Sequence, residues 1–335
     1  MTSLQIPRDA KLDFLRILAI LECIFAHALL SHPMPANDYL FVMVFVPDTA
    51  AIFFMASGAI ILNRPEPCGW KYVWRRIMTF LPEFVIFSAL YVFMDRACGF
   101  YFPPEVTVTQ QLFYMFLTPT WAPGWFILAL IGLYFVCPLL SAWVRSATKR
   151  QVETGIALWM AATVLPIVMP HTPVDIPQSP FGTLFNYAGY MVIGYYLHRW
   201  PFKARSARFK AAFFAVTVGV GLVFGYFLGR SGVKWDYIAG LTTGMSLNIV
   251  MVSLIQYGLV LLLPDRWFAN RTGRCVSWLS KLSLGIYCCH WLFLRYWAIP
   301  EHIAWTIGFA VSLGLSIPLA WLMAMMRRLC SPSRR

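Results

Sequence analysis

The first apolar segment of the chain, KLDFLRILAILECIFAHALL, carries an arginine and a histidine at the spacing Arg16-x10-His27. The segment is greasy enough to span a bilayer, where each charged group costs roughly 2.5 to 3.5 kcal/mol on insertion scales. Eleven residues is close to three helical turns, so the two side chains leave nearly the same face of a helix. At 1.5 Å per residue, His27 lies about 16 Å along the axis from Arg16. A basic group near one membrane surface and an imidazole deeper in, on one stripe, predict a polar cavity inside a membrane protein.

Composition sets the class. Hydrophobic residues make up 59% of the chain and charged residues only 12%. The mean hydropathy of +0.65 leaves too few charges to solvate a globular surface. Ten spans are expected, at about 12–31, 41–62, 77–95, 124–143, 153–169, 182–197, 211–229, 239–263, 281–298 and 303–325. The fold class is therefore all-α: one polytopic membrane domain over residues 1–335, both termini cytoplasmic, with no room for a separate soluble domain. Net charge is +13, which in another chain would suggest a nucleic-acid partner. Here twenty-two of the Lys and Arg residues fall on one side of the predicted spans and four on the other, with Arg16 inside. That asymmetry is the positive-inside rule, so no nucleic-acid partner is expected. Membrane lipids are.

Ala26-His27-Ala28 mimics a signal-peptide cleavage site, but Arg16, Glu22 and His27 interrupt the apolar run, so the segment is expected to stay. The eight cysteines are scattered and only Cys98 falls near the outer face, so no disulfide framework is implied. No short-period repeat or resemblance between halves favours a transporter of inverted repeats.

Six segments in chain order resemble the acyltransferase 3 family of membrane-bound acyltransferases. They are LDFLRILAILECIFAH, FFMASGAIIL (53–62), KYVWRRIMTFLPEFVIFSALY (71–91), GWFILALIGLYFVCPLL (124–140), NYAGYMVIGYYL (186–197) and SLGIYCCHWLF (283–293). The similarity is greatest to the short branch that O-acetylates enterobacterial surface glycans. Three departures stand out. Thr79 occupies a position where the family often has a second basic residue after Arg76. Relatives often read His-Leu-Trp-Phe where this chain has Pro123-Gly124-Trp125-Phe126. Glu22 is unusual within the Arg-x10-His pattern.

The resemblance implies an O-acyltransferase of a bacterial cytoplasmic membrane, with acetyl-CoA or another acyl-CoA as donor substrate and no permanently bound cofactor. The acceptor would be a hydroxyl of a cell-surface or lipid-linked glycan. His27 becomes the candidate base, since an imidazole with an ordinary pKa near 6.5 accepts protons at cell pH. Arg16 anchors coenzyme A phosphate, pairs with Asp13 one turn away, or does both. Arg75 and Arg76 are expected at a cytoplasmic phosphate clamp or as positive-inside anchors. His290 is placed at a depth that matches His27. Trp125, Tyr187 and Tyr190 are candidates for an acceptor path, and Asn186 and Asp236 for sugar hydroxyls. Ser57-Gly58 and Gly240-x3-Gly244 read as helix-packing motifs. Cys288, Cys289 and His290 point to different helical faces, so no metal centre is expected from them. Direct transfer and a transient acyl-enzyme both remain open. The rival reading is a proton-coupled transporter with Arg16, Glu22 and His27 as a relay; an inactive acyl-CoA sensor is a third.

Overall fold

The structure, a computed structural model, describes residues 9–30, 49–99, 106–117, 119–168, 180–200, 247–296 and 305–330, with isolated positions between 208 and 219. No strand occurs among them. Most of the predicted span 211–229, together with Asp236 and Gly240-x3-Gly244, falls outside the described residues, as do the side chains of 162–186. In chain order the helices are α1 (Ala10–Leu30), α2 (Ala50–Ile61), α3 (Trp70–Ala97), α4 (Val108–Tyr114), α5 (Trp125–Ser146), α6 (Lys149–Val168), α7 (Pro180–Arg199), α8 (Leu247–Leu262), α9 (Asn270–Tyr296) and α10 (Trp305–Cys330).

Three helical stretches are long and apolar enough to cross a membrane by length and composition alone: Trp70–Ala97, Trp125–Ser146 and Thr306–Met326. Helix α1 has 21 residues, but Lys11, Asp13, Arg16 and Glu22 interrupt its apolar run. Those charges weaken it as a free-standing span. Large apolar side chains cover the exterior, among them Ile86, Phe93 and Leu139. On a water-soluble monomer so many would mark an interaction surface; around a membrane protein they meet lipid.

Two helices start earlier than hydropathy predicts. α3 begins at Trp70 rather than near 77, so Arg75 and Arg76 sit on the helix and not in a loop before it. α9 begins at Asn270 rather than 281, adding an amphipathic lead that carries Ser277 and Ser280. Between α3 and α5, α4 opens with a capping box in which the Thr107 hydroxyl accepts from the Gln110 amide.

Helix α1 packs against α9 and α10, and α9 also meets α3. The α1–α9 pairing is parallel: Asp13 meets Ser277 and Ser280 at one end, and His27 meets His290 further along. The α3–α9 pairing runs the same way. The Tyr91 hydroxyl donates to the Cys288 carbonyl at 2.9 Å, and Asp95 accepts from Arg295 at 2.7 Å and Tyr296 at 2.6 Å.

Helices α2 and α7 make a close backbone approach through glycine. A methyl group added at Gly58 would stand 2.0 Å from the Met191 carbonyl oxygen, and one at Gly194 would stand 1.9 Å from that of Met55. In lipid, where no hydrophobic force draws helices together, this small-residue contact supplies the dispersion energy of the joint. Gly194→Ala is expected to destabilise the fold by about 1–3 kcal/mol through overpacking. A thermal-unfolding midpoint equal to wild type in detergent would refute the close approach.

Candidate functional site

Two polar centres lie along the stripe that Arg16 and His27 define on α1. The first is a cavity of about 600 Å³ at the start of the helix, lined by Asp13, Arg16, Asn63, Arg76, His198 and Lys281 among others. That size falls within the range of small-molecule sites. Helices α1 and α3 reach this cavity in their first two turns, α9 reaches it at Ser280 and Lys281, and α2 and α7 finish there. Five elements distant in sequence therefore bring polar groups together.

Arg16 is half-buried and pairs with Asp13 at 3.7 Å, one turn earlier. Asp13 also accepts hydrogen bonds from Ser277 at 2.8 Å and Ser280 at 2.9 Å. The carboxylate thus ties α1 to α9 and steadies the guanidinium as well. Arg76 reaches the same cavity from α3, and its Nε donates to the Tyr72 hydroxyl at 3.0 Å. Arg75, its neighbour, is exposed and does not line the cavity. Thr79 is also exposed and donates its hydroxyl to the Arg76 carbonyl at 2.6 Å. The departure at position 79 therefore leaves helix backbone satisfied and removes no lining group from this cavity.

The second centre lies deeper. His27 Nδ1 is 2.8 Å from His290 Nε2, and the two rings are nearly parallel, 12° apart. His290 Nδ1 is 2.5 Å from the Tyr287 carbonyl oxygen. A carbonyl only accepts, so His290 carries its proton on Nδ1 and offers the lone pair of Nε2. His27 must then donate from Nδ1 to His290, which leaves Nε2 as the proton-accepting atom of the His27 ring. One backbone carbonyl thereby sets the tautomer of both rings. Cys23, one turn before His27, places its sulfur 3.6 Å from His27 Nδ1, and Trp291 stands edge-on to the His27 ring at 5.4 Å.

An aromatic file leads away from this pair. The Tyr287 ring centroid lies 5.5 Å from His290 and 5.2 Å from Phe126. Phe126 stands 5.2 Å from Phe54, which stands 4.9 Å from Tyr187. Trp125 stacks on Tyr187 at 5.7 Å. The Tyr187 ring also lies 6.3 Å from that of buried Tyr190. Trp125 and Tyr187 are therefore connected to the histidines through packed rings. The Tyr287 hydroxyl donates to the carbonyl of Pro123, the residue where relatives often have histidine. Asn186 has its backbone in α7, and its side chain is outside those described.

Glu22 belongs to neither centre. It accepts a hydrogen bond from Gln256 on α8 at 2.7 Å, whereas His27 bonds His290 on α9. Cys288 and Cys289 are both buried, Cys289 beside Met323, and neither joins Cys23 and the histidines. Sequence reasoning misses His198, Lys281 and Asn63 at the cavity and Cys23 beside the histidines. Two signals point to them: His198 ends an apolar run, and Cys23 lies at i−4 from His27.

The acyltransferase domain family matches residues 9–325. No curated protein and no solved structure matches the chain. The family match runs from the residue before α1 into the last helix, across both polar centres. The chain belongs to the acyltransferase 3 family of membrane acyltransferases.

Proposed function

We propose that this protein is an O-acyltransferase of a bacterial cytoplasmic membrane, moving an acetyl or other short acyl group from acyl-CoA to a glycan hydroxyl. The observation that carries the reading is the ordered relay from the Tyr287 carbonyl through His290 to His27. It leaves a proton acceptor about 16 Å along one helix from a cationic cavity. An extended pantetheine arm is comparable in length. With the coenzyme A phosphates held by Arg16 and Arg76, the thioester would reach the level of His27.

In this reading His27 Nε2 takes the proton of the acceptor hydroxyl as its oxygen attacks the thioester carbonyl. The new C–O bond forms and the C–S bond breaks. His27 then returns the proton to the departing thiolate, so coenzyme A leaves as the free thiol and no net proton is gained or lost. His290 holds the ring and shares the positive charge while His27 is protonated, the orienting role of the third group in acid–base triads. Arg16 and Arg76 suit phosphate oxygens because a guanidinium presents a planar fork of donors. Trp125 and Tyr187 fit the wall of an acceptor path, since sugar rings stack on aromatic faces. The ten-span arrangement is supported by direction: α1, α3 and α9 run away from the cavity toward the histidine level and α2 and α7 run toward the cavity, as odd and even spans would. The relay of Arg16, Glu22 and His27 that a transporter would use finds less support, because Glu22 is bonded to a different helix.

His27→Ala is expected to lower transfer of labelled acetyl from acetyl-CoA to cellular glycan by about 10²–10⁴-fold, the ordinary contribution of a positioned base. Full activity in a membrane-inserted, folded mutant would sink the mechanism. Arg76→Gln is expected to raise the KM for acyl-CoA by about tenfold or more, as loss of a charge-assisted hydrogen bond does. Arg75→Gln should stay within about twofold, as for an exposed position that touches nothing in the cavity. Steady-state kinetics showing the reverse order would move the phosphate contact out of the cavity described.

A further inference from the structure

We propose that Cys23, His27 and His290 form a binding site for a divalent transition-metal ion of zinc's class, and that an ion held there switches off His27 as a proton acceptor. The first part stands on geometry alone; the second rests on the reading of His27 as the base. The thiol and the two ring nitrogens lie within 4.8 Å of one another. Cys23 and His27 are four residues apart and share one face of α1, and His290 meets them from α9. None of these atoms belongs to the acyl-CoA cavity.

The distances suit such an ion. Zinc sits about 2.0–2.1 Å from imidazole nitrogen and about 2.3 Å from thiolate sulfur. At tetrahedral angles this sets a nitrogen and a sulfur about 3.6 Å apart, and two nitrogens a little over 3.3 Å. Cys23 Sγ and His27 Nδ1 are already 3.6 Å apart. His27 Nδ1 and His290 Nε2, at 2.8 Å, need to open by about half an ångström, and both rings need to turn by roughly 35° off the line of their hydrogen bond to aim at one ion. The outer support is also present, because His290 donates its other nitrogen to the Tyr287 carbonyl, as metal-binding histidines ordinarily do. Two imidazoles and a thiolate favour zinc, copper or cobalt over magnesium and calcium, which prefer oxygen. Three protein ligands leave a fourth position for water.

Binding rearranges protons in a defined way. Cys23 loses its thiol proton to solvent and binds as thiolate. His290 binds through the Nε2 lone pair and keeps the proton on Nδ1. His27 binds through Nδ1, and the proton that atom carried moves to Nε2. One proton is released per ion. His27 Nε2, now carrying hydrogen, accepts nothing. Metal occupancy and general-base catalysis are mutually exclusive states of one side-chain trio, and a zinc-class ion becomes a reversible inhibitor.

The test uses the full-length protein, stripped with chelator, kept reduced, and titrated with Co²⁺ and then Zn²⁺. One Co²⁺ per chain should produce the intense visible absorption of a tetrahedral site together with a sulfur-to-metal charge-transfer band. One equivalent of Zn²⁺ should abolish both. Cys23→Ser, which leaves both histidines in place, should lose the charge-transfer band and bind at least about tenfold more weakly, the least that removing a metal-supporting group costs. Absence of that band in folded wild type, or an unchanged band in Cys23→Ser, would overturn the site. In the acetyl-transfer assay, Cys23→Ser should need at least about tenfold more Zn²⁺ than wild type for half-inhibition. Equal sensitivity of the two proteins would overturn the switch. A chain that binds Co²⁺ as described but transfers no acyl group would keep the site and remove the base reading, so the two failures are distinguishable.

Discussion

The register between α1 and α9 is the constraint on which the rest of the structure depends. Near one end, Asp13 accepts two serine hydroxyls from α9; fourteen residues along α1, His27 meets His290. The helices are parallel and rise equally per residue, so the first contact determines the second. A slip of one turn, about 5.4 Å, would part the two imidazoles entirely. Asp13 also faces Arg16, so the same carboxylate positions the guanidinium at the cavity. A carboxylate buried in a low-dielectric interior is costly without donors, and here the donors that offset the cost are the ones that align the site.

Much of this is legible in the amino-acid sequence. The Arg-x10-His spacing points to the face of α1 that meets both polar centres, and composition points to a membrane protein. Hydropathy misjudges where α3 and α9 begin because it reads apolarity, and both helices continue as amphipathic turns beyond their apolar cores. Those extra turns are where Arg76, Ser277 and Ser280 act. The partners of buried groups are illegible for a different reason. Gln256 lies 234 residues from Glu22 and His290 lies 263 residues from His27, and no local pattern announces such a pairing. The tautomers of the two histidines depend on a main-chain carbonyl, which every residue has.

The aromatic file between Trp125 and His290 shows how a departure from family pattern is absorbed. Pro123 has no side chain able to donate or accept, yet its carbonyl receives the Tyr287 hydroxyl. The turn before α5 is thus attached to the residue whose own carbonyl orients His290. Whatever contacts that turn is mechanically close to the histidine pair through a hydroxyl, a ring and a peptide group of one tyrosine.

The charges of α1 also bear on how the protein is made. Lys11, Asp13, Glu22 and His27 are synthesised well before their partners: Gln256, the Leu261 carbonyl that Lys11 bonds, Ser277, Ser280 and His290 come some 230 to 270 residues later. At about 5–20 residues per second, the first helix waits on the order of ten seconds to a minute for these partners. During that interval the polar groups of α1 lack these particular bonds, and lipid is a costly surrounding for them. Assembly thus closes as a ring, with α8 and α9 supplying partners for the polar groups of the first helix. A ribosome that stalls before α8 leaves behind a nascent chain in which α1 can pack on α2 but has neither α8 nor α9 beside it.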